Sequence, residues 1–232
     1  MDAPSGNTQV TITTDSVELE GLLGVPDGST GIVLFAHGSG SGRLSPRNNY
    51  VARALREDGI ATLLFDLLTE DEAADRHNVF DIDLLAQRLR DATVWVRGYA
   101  ATKDLAVGYF GASTGAGAAL LAAADDPTIR AIVSRGGRPD MAARVLTWVR
   151  APTLLIVGGE DDVVIQLNEE AYRQLQCEKQ MQIIPGATHL FEEPGTLDQV
   201  VHLAIDWFQR HFAERPEPAV QPLSAGSRTR KK

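Results

Sequence analysis

The chain of 232 residues carries 22 basic and 31 acidic side chains, and its formal net charge of −9 argues against nucleic acid as a partner. Hydrophobic residues make up 44% of the chain, enough for one domain with a sizeable buried core. The single cysteine, Cys177, excludes an internal disulfide and a cysteine-rich metal site, and no apolar run approaches the roughly 20 residues that span a bilayer. Since residues 1–6 also lack the features of a signal peptide, we expect a cytoplasmic protein without membrane contact, metal or other cofactor.

The first predicted elements are two strands, 10–13 and 17–25, that form an antiparallel hairpin. From residue 32 onward strands and helices alternate, which is typical of a parallel sheet covered by helices on both faces. Apolar runs place the remaining strands at 32–36, 60–65, 105–110, 129–134, 153–157 and 181–184. Helical spacing of apolar residues places helices at 47–57, 82–96, 116–124, 141–149, 167–175 and 197–212. The sequence therefore predicts an α/β fold over residues 1–212, with a mostly parallel eight-stranded sheet.

The last segment, residues 213–232, differs from this domain in composition. It contains prolines, serines and glycine, has few apolar residues, and ends in the basic cluster 228–232. Such a composition predicts a disordered, basic C-terminal tail. The cluster could contact an acidic partner, but a solvated chain end is the favoured interpretation.

The segment from Gly111 to Gly115 has the form Gly-x-Ser-x-Gly and lies between a predicted strand and a predicted helix. In that context the pattern is typical of a nucleophile elbow, a sharp turn that exposes the serine hydroxyl. Glycines at both ends remove side chains that would clash in so tight a turn. We therefore predict Ser113 as the nucleophile of a serine hydrolase.

A serine nucleophile needs a general base and an acid that orients the base, and in this architecture the order is serine, acid, histidine. Asp161 lies in an acidic turn after a buried strand, where the catalytic groups of open α/β sheets gather. Glu160 and Asp162 are alternatives in the same turn. His189 follows the last predicted strand, and we predict it as the base.

The oxyanion formed during acyl transfer needs backbone N–H donors. Thr114 is one predicted donor, because it follows the nucleophile and begins a helix. Ser39, in the glycine-rich loop after the third predicted strand, is the other, with Gly38 or Gly40 as alternatives. His37 is interpreted as a residue that fixes this loop. A phosphate-binding loop is disfavoured there, because the segment lacks Gly-Lys-Ser/Thr.

Four segments in this order, at 37–40, 111–115, 158–161 and 186–189, make the chain resemble the α/β-hydrolase superfamily over residues 10–212. Within the superfamily it is most similar to dienelactone-hydrolase-related proteins. This resemblance implies an α/β-hydrolase fold and the catalytic residues Ser113, Asp161 and His189.

Two further stretches, 65–70 and 134–140, resemble a bacterial branch that is sometimes fused to phosphoribosyltransferase domains. Dienelactone hydrolases proper carry a cysteine at the elbow, whereas this chain carries Ser113 there and its only cysteine, Cys177, elsewhere. The expected substrate is therefore a small molecule with an ordinary ester or another activated acyl group.

The segment between residues 134 and 152 is too short for the lid domain that many hydrolases insert at this point, so we expect an open site. Arg135 and Arg138 lie in this segment, near the carboxyl end of a strand. Their guanidinium groups could recognise a carboxylate or a phosphate of the substrate. Salt bridges to nearby acids are the alternative interpretation.

Together these features predict a serine hydrolase that cleaves a carboxylic ester through an acyl-enzyme intermediate. An acyltransferase, a thioesterase or a peptidase with the same three residues is an alternative. So is a binding protein that keeps the fold with an idle site. The oligomeric state is left open.

Overall fold

The computed structural model describes residues 7–14 and 16–213. Its strands are β1 Asn7–Thr13, β2 Glu18–Gly24, β3 Gly31–Ala36, β4 Ala61–Phe65, β5 Ala106–Ala112, β6 Ala131–Arg135, β7 Thr153–Gly158 and β8 Lys179–Ile184. Its helices are α1 Pro46–Glu57, α2 Glu70–Ala74, α3 Arg76–Phe80, α4 Ile82–Gly98, α5 Thr114–Ala124, α6 Asp162–Gln174 and α7 Thr196–Ala213, with a 3₁₀ helix at Pro139–Trp148. The predicted tail at 213–232 lies outside the described residues except for Ala213, the last residue of α7.

The eight strands form one sheet in the order β1-β2-β4-β3-β5-β6-β7-β8. The pairs β1–β2 and β2–β4 are antiparallel, and the other neighbouring pairs are parallel. This confirms the predicted mostly parallel sheet and its antiparallel entry hairpin. β4 lies on one side of β3 and β5 lies on the other, so the strand order reverses at β3. Open α/β sheets bind ligands beside the carboxyl ends of the strands at such a reversal.

Apolar side chains cover both faces of the sheet, because successive residues of a strand point to opposite faces. In β3, Ile32 and Leu34 belong to the cluster that includes residues of α4 and α5. Val33 and Phe35 belong to the cluster that includes residues of α1 and α7. Every residue of β3 is buried, as its continuous apolar run predicts. The predicted helical layers on both faces are therefore confirmed.

Two short helices, α2 and α3, fill the connection between β4 and α4, where the sequence pattern predicts no element. Each has five residues, too few to show an apolar period. Their ends are set by capping side chains: Thr69 and Glu72 form a capping box at α2, and Asp75 caps α3. A capping box was the sequence signal that could have revealed α2.

Two other elements differ from the predicted ones. α6 begins at Asp162 rather than at 167. The β-branched residues 163–165 have low helix propensity, so the sequence did not predict a helix there, but burial of Val164 stabilises the helical conformation. The predicted helix at 141–149 is a 3₁₀ helix that begins at Pro139. Proline is tolerated at that first position because the N–H it lacks has no helical partner there.

The connection between β6 and β7 makes only this 3₁₀ helix, which packs against α5 and α6. No lid is inserted between these two described strands, as expected. The carboxyl edge of the sheet is therefore left open on the side of β6.

Within residues 7–14 and 16–213, no helix is both long and apolar enough to cross a membrane.

The turn from β5 into α5 depends on two close backbone contacts. A Cβ at Gly111 would collide with the Cα of Ala116, and a Cβ at Gly115 would collide with the carbonyl oxygen of Ala36. Both distances would be shorter than 3.0 Å, and both obstacles are backbone atoms that no side-chain rotation can move. The two glycines of the pentapeptide are therefore required by packing.

We expect Gly115→Ala to lower the free energy of unfolding by roughly 2–3 kcal/mol, since the added methyl group forces α5 away from β3. Gly98→Ala is the matched control, because a Cβ there meets nothing within 4 Å. The control should be neutral or stabilising by up to about 1 kcal/mol, since alanine is the better helix former. Urea unfolding of both variants measures the difference, and equal stabilities would contradict the packing argument.

Candidate active site

Ser113 lies at the turn between β5 and α5, in a backbone conformation that non-glycine residues rarely adopt. Its φ is 52° and its ψ is −122°. Hydrogen bonds hold this conformation: the Ser113 N–H donates to the Arg135 carbonyl at 3.2 Å, and the Arg138 N–H donates to the Ser113 carbonyl at 3.0 Å. Strain of this kind persists only when neighbouring structure fixes it, and it is the geometry of a nucleophile elbow.

The structure brings His189 and Asp161 next to this serine. The His189 Nε2 lies 3.4 Å from Ser113 Oγ, and its Nδ1 lies 2.6 Å from Asp161 Oδ2. A carboxylate can only accept, so Nδ1 carries the proton and Nε2 is left as an acceptor that faces the serine hydroxyl. The alternative acids Glu160 and Asp162 are exposed, and of the three carboxylates Asp161 is the one bonded to His189.

Short backbone contacts keep the histidine loop against the acidic turn. The Glu160 N–H donates to the Ala187 carbonyl at 2.9 Å. A Cβ at Gly158 would lie 2.5 Å from the Ala187 carbonyl oxygen, so only glycine permits this approach. Beyond the histidine, Thr188 donates to the Glu193 carboxylate from both its N–H and its hydroxyl, at 3.1 and 2.7 Å. Glu193 thus ties down the residue before His189, a contact that the sequence did not indicate.

The glycine-rich loop after β3 lies against the nucleophile. A Cβ at Gly38 would be 3.0 Å from Ser113 Cβ. Ser39 follows directly, and its N–H has no backbone hydrogen-bond partner among the described residues. Thr114 is the first residue of α5, so its N–H has no partner within the helix. Both predicted donors thus lie beside Ser113.

His37 fixes this loop, as interpreted from the sequence. The Leu67 N–H donates to His37 Nε2 at 3.0 Å, so Nδ1 carries the proton and donates to the Gly38 carbonyl at 3.0 Å. Burial lowers the pKa of His37, although the bond to Gly38 opposes this effect. The ring is therefore a neutral link between the loop after β3 and the loop after β4.

Two cavities meet at the site. The smaller one, about 180 Å³, is lined by Ser113, His189, Arg135 and Arg47 among others. The larger one, about 400 Å³, is lined by Thr114 and the loop of His37, and its apolar wall consists of Leu68, Ala73, Val79 and Leu85. Ser39 borders both cavities. The sequence reasoning missed this wall, since Ala73 and Val79 belong to α2 and α3.

The two predicted substrate-binding arginines have different surroundings. Arg138 donates to Asp140 through Nε and Nη2 at 2.8 and 2.7 Å, and neither cavity includes it among its lining residues. Arg135 is 8% exposed and lines the smaller cavity. Its Nε and Nη1 are buried without a hydrogen-bond partner, and its Nη2 lies 3.5 Å from Asn48 Oδ1.

The electrostatic setting of Arg135 is unfavourable for its charge. Burial, with a smaller contribution from nearby Arg47, lowers the pKa of the Arg135 guanidinium to about 10. The group nevertheless stays charged at neutral pH. No cluster of three His, Cys, Asp or Glu side chains suited to a metal ion occurs within the described ranges.

Comparison with known proteins places the chain in a family. A family described as PET hydrolase-like matches residues 73–217. A crystal structure of dienelactone hydrolase from Anabaena variabilis is 57% identical and covers 88% of this chain and 97% of that one, with a TM-score of 0.87. A serine hydrolase without lid from Xanthomonas campestris is 21% identical, with 92% and 99% of the chains covered and a TM-score of 0.72, which is a likeness of fold alone.

Curated relatives from Mycobacterium tuberculosis, named putative phosphoribosyl transferases, are 57% identical over 212 residues. The match covers 91% of this chain but 48% of theirs, so the chain spans about half the length of these relatives. The identity to the Anabaena protein extends over nearly the whole fold, and the resemblance drawn from the motifs is confirmed. The chain belongs to the α/β-hydrolase superfamily, in its dienelactone-hydrolase-related branch.

Proposed function

We propose that this hydrolase cleaves a carboxylic ester through an acyl-enzyme intermediate, with Ser113 as nucleophile, His189 as general base and acid, and Asp161 as the group that orients His189. The observation that carries the proposal is the continuous contact from Ser113 Oγ through His189 to Asp161. Serine alcohols are weak nucleophiles at neutral pH, and a histidine held by a carboxylate activates them.

The first step forms a bond between Ser113 Oγ and the ester carbonyl carbon. His189 Nε2 takes the hydroxyl proton, and the carboxylate of Asp161 stabilises the resulting imidazolium through Nδ1–H. The 3.4 Å distance between Nε2 and Oγ is long for a hydrogen bond of this kind. Such distances shorten when substrate occupies the site, so the geometry is compatible with proton transfer.

The negative charge that develops on the carbonyl oxygen requires fixed donors. The Thr114 and Ser39 N–H groups flank Ser113, and the amino end of α5 adds the favourable potential of the helix dipole. Because Ser39 belongs to a loop, its position depends on His37, which bonds both to Gly38 and to Leu67. We assign His37 a positioning role in this oxyanion site.

Collapse of the intermediate releases the alcohol, which takes the proton from His189, and water then hydrolyses the acyl-enzyme by the reverse sequence. The His189 side chain is 37% exposed, and the described segment between β6 and β7 forms no cover over it. Access of water supports hydrolysis as the fate of the acyl group. The name of the mycobacterial relatives refers to chains about twice as long, and for the shared half we propose ester hydrolysis.

Replacement of the nucleophile should abolish catalysis. We expect Ser113→Ala to lower kcat for 4-nitrophenyl butyrate by roughly 10⁴- to 10⁶-fold, as when a serine nucleophile is removed from a triad. Labelling by a fluorophosphonate should disappear with it. Cys177→Ala is the control and should keep both activity and labelling, since the thiol lies outside the site. Full activity of Ser113→Ala would show that the assignment is wrong.

The three carboxylates of the acidic turn should differ sharply. We expect Asp161→Asn to lower kcat by roughly 10⁴-fold, because an amide no longer holds Nδ1 in its protonated form. Glu160→Gln and Asp162→Asn remove equal charge from exposed neighbours and should change kcat by less than about threefold. Steady-state kinetics of the three variants decides the assignment, and an equal loss in all three would overturn it.

The role of His37 can be tested through pH. Its folded pKa lies below the ordinary value of about 6.5, so the unfolded chain takes up the proton first as the pH falls. Below about pH 6.5 this residue therefore makes the free energy of unfolding decrease, until its folded pKa is reached. His37→Ala should show a weaker decrease between pH 7 and 5 than the wild type.

The same variant should lose roughly ten- to a hundredfold in kcat, because the oxyanion loop is no longer tied to Leu67. His202→Ala, a change on the exposed face of α7, is the control for both measurements. Urea unfolding at several pH values and kinetics at neutral pH provide the data. Unchanged kcat in His37→Ala would remove the positioning role.

A further inference from the structure

The smaller cavity beside Ser113 carries charge of one sign. Arg47 and Arg135 line it, and so do the hydroxyl-bearing residues Ser39, Ser41 and Ser45. Among its lining residues, all of them in the described part of the chain, there is no Asp or Glu. The lining of this cavity is therefore opposite in sign to the net charge of −9 that the chain carries.

The neighbouring arginines are compensated, and Arg135 is not. Arg47 pairs with Glu192 at 2.9 Å. Arg43, in the larger cavity, pairs with Asp66 and with Glu20, and Arg138 pairs with Asp140. Arg135 forms no salt bridge within the described residues. Its guanidinium lies 6.0 Å from the centre of the Phe191 ring, and the charge that acts on it is the like charge of Arg47.

A buried cation without a carboxylate partner loses its hydration at a large energetic cost, so a side chain of this kind implies a partner that is present when the protein acts. The smaller cavity, which Arg135 and Ser113 line together, indicates where that partner lies. Arg135 is the last residue of β6 and pairs with Ala112, the residue before the nucleophile. A ligand that compensates Arg135 therefore also contacts the surroundings of Ser113.

We propose that the smaller cavity is a subsite for a single negative charge held by Arg135, and that the substrate is an ester whose alcohol part is a monoanion. The inference rests on the ester-hydrolase function proposed above. One charge is specified because Arg47 already pairs with Glu192, which leaves Arg135 as the one arginine lining this cavity that has no carboxylate partner among the described residues. The cavity of about 180 Å³ limits the anionic part to a small group.

The assignment to the alcohol part follows from the position of His189. That residue lines the smaller cavity and must give its proton to the leaving oxygen, so the alcohol lies on this side of Ser113. The larger cavity borders the same glycine loop and includes Thr114 but not His189, and its wall of Leu68, Val79 and Leu85 suits an apolar acyl group. The alcohol part of the ester thus lies in the smaller cavity and the acyl part in the larger one, with the scissile bond at Ser113.

The test uses esters that differ only in charge. 4-(Butyryloxy)benzoate carries the anion on its alcohol part, and 4-(butyryloxy)benzamide is its neutral counterpart. We expect the wild type to cleave the anionic ester with a kcat/KM at least tenfold higher, mainly through a lower KM, and to favour 4-(butyryloxy)benzenesulfonate similarly. In Arg135→Met this ratio should fall to about one or below, whereas Arg135→Lys should keep part of it.

Arg53→Met is the matched control, because it removes the same charge from an exposed position on α1. It should keep the wild-type ratio. A ratio near one in the wild type, or a ratio that survives in Arg135→Met, overturns the subsite. So does a preference that appears only when the carboxylate is moved to the acyl part, as in mono-4-nitrophenyl adipate against its amide.

A measurement without variants guards against misfolding of Arg135→Met. 4-Hydroxybenzoate should inhibit wild-type hydrolysis of 4-nitrophenyl butyrate at least tenfold more strongly than 4-hydroxybenzamide, and equal inhibition overturns the subsite. The underlying function is distinguished by the neutral esters and by fluorophosphonate labelling of Ser113. If 4-nitrophenyl butyrate is cleaved and Ser113 is labelled without any preference for charge, the subsite alone is wrong. If neither occurs, the proposed hydrolase function fails first.

Discussion

The positive φ of Ser113 is the constraint on which the site depends. The turn from β5 into α5 is so sharp that the start of the helix packs directly against the backbone of β5 and β3. This close packing requires glycine at positions 111 and 115. The consequence extends beyond the serine. Because α5 touches the carbonyl of Ala36, the loop after β3 is held beside the first N–H of the helix. Ser113 and the two proposed oxyanion donors are thus positioned by one packing contact, and they share its sensitivity to added volume.

The parallel sheet performs the rest of the assembly. The parallel strands end at one edge, where residues distant in sequence come together. Arg135 is the last residue of β6, Asp161 follows β7 and His189 follows β8. Distance along that edge limits which groups can touch. Asp161 and His189 meet because glycine at 158 lets two loops approach to backbone contact. Rigid strands with short, mutually bonded loops keep such a site ordered.

Local patterns in the sequence were enough to predict which serine, carboxylate and histidine lie together, because each is in a short motif after an apolar strand. The doubly covered sheet was equally accessible, since buried strands are continuous apolar runs. The cavities could not be predicted from the sequence. Their shape depends on α2 and α3, helices of five residues stabilised by caps rather than by periodicity. The sequence also offered no reason to distinguish Arg135 from Arg138. In the structure, Arg135 is a buried cation on the strand beside Ala112, whereas Arg138 forms an ion pair with Asp140.

Charge compensation connects this difference to function. A carboxylate placed next to Arg135 would relieve its desolvation cost and stabilise the empty protein. It would also fill the smaller cavity with negative charge beside Ser113, where an oxyanion must form, and would compete with any anionic ligand. The arrangement observed keeps carboxylates on Arg43, Arg47 and Arg138 and leaves Arg135, which lines the cavity of Ser113, without one. Under the proposed function, folding stability and substrate recognition oppose each other at this one position, and such a local conflict is characteristic of functional sites.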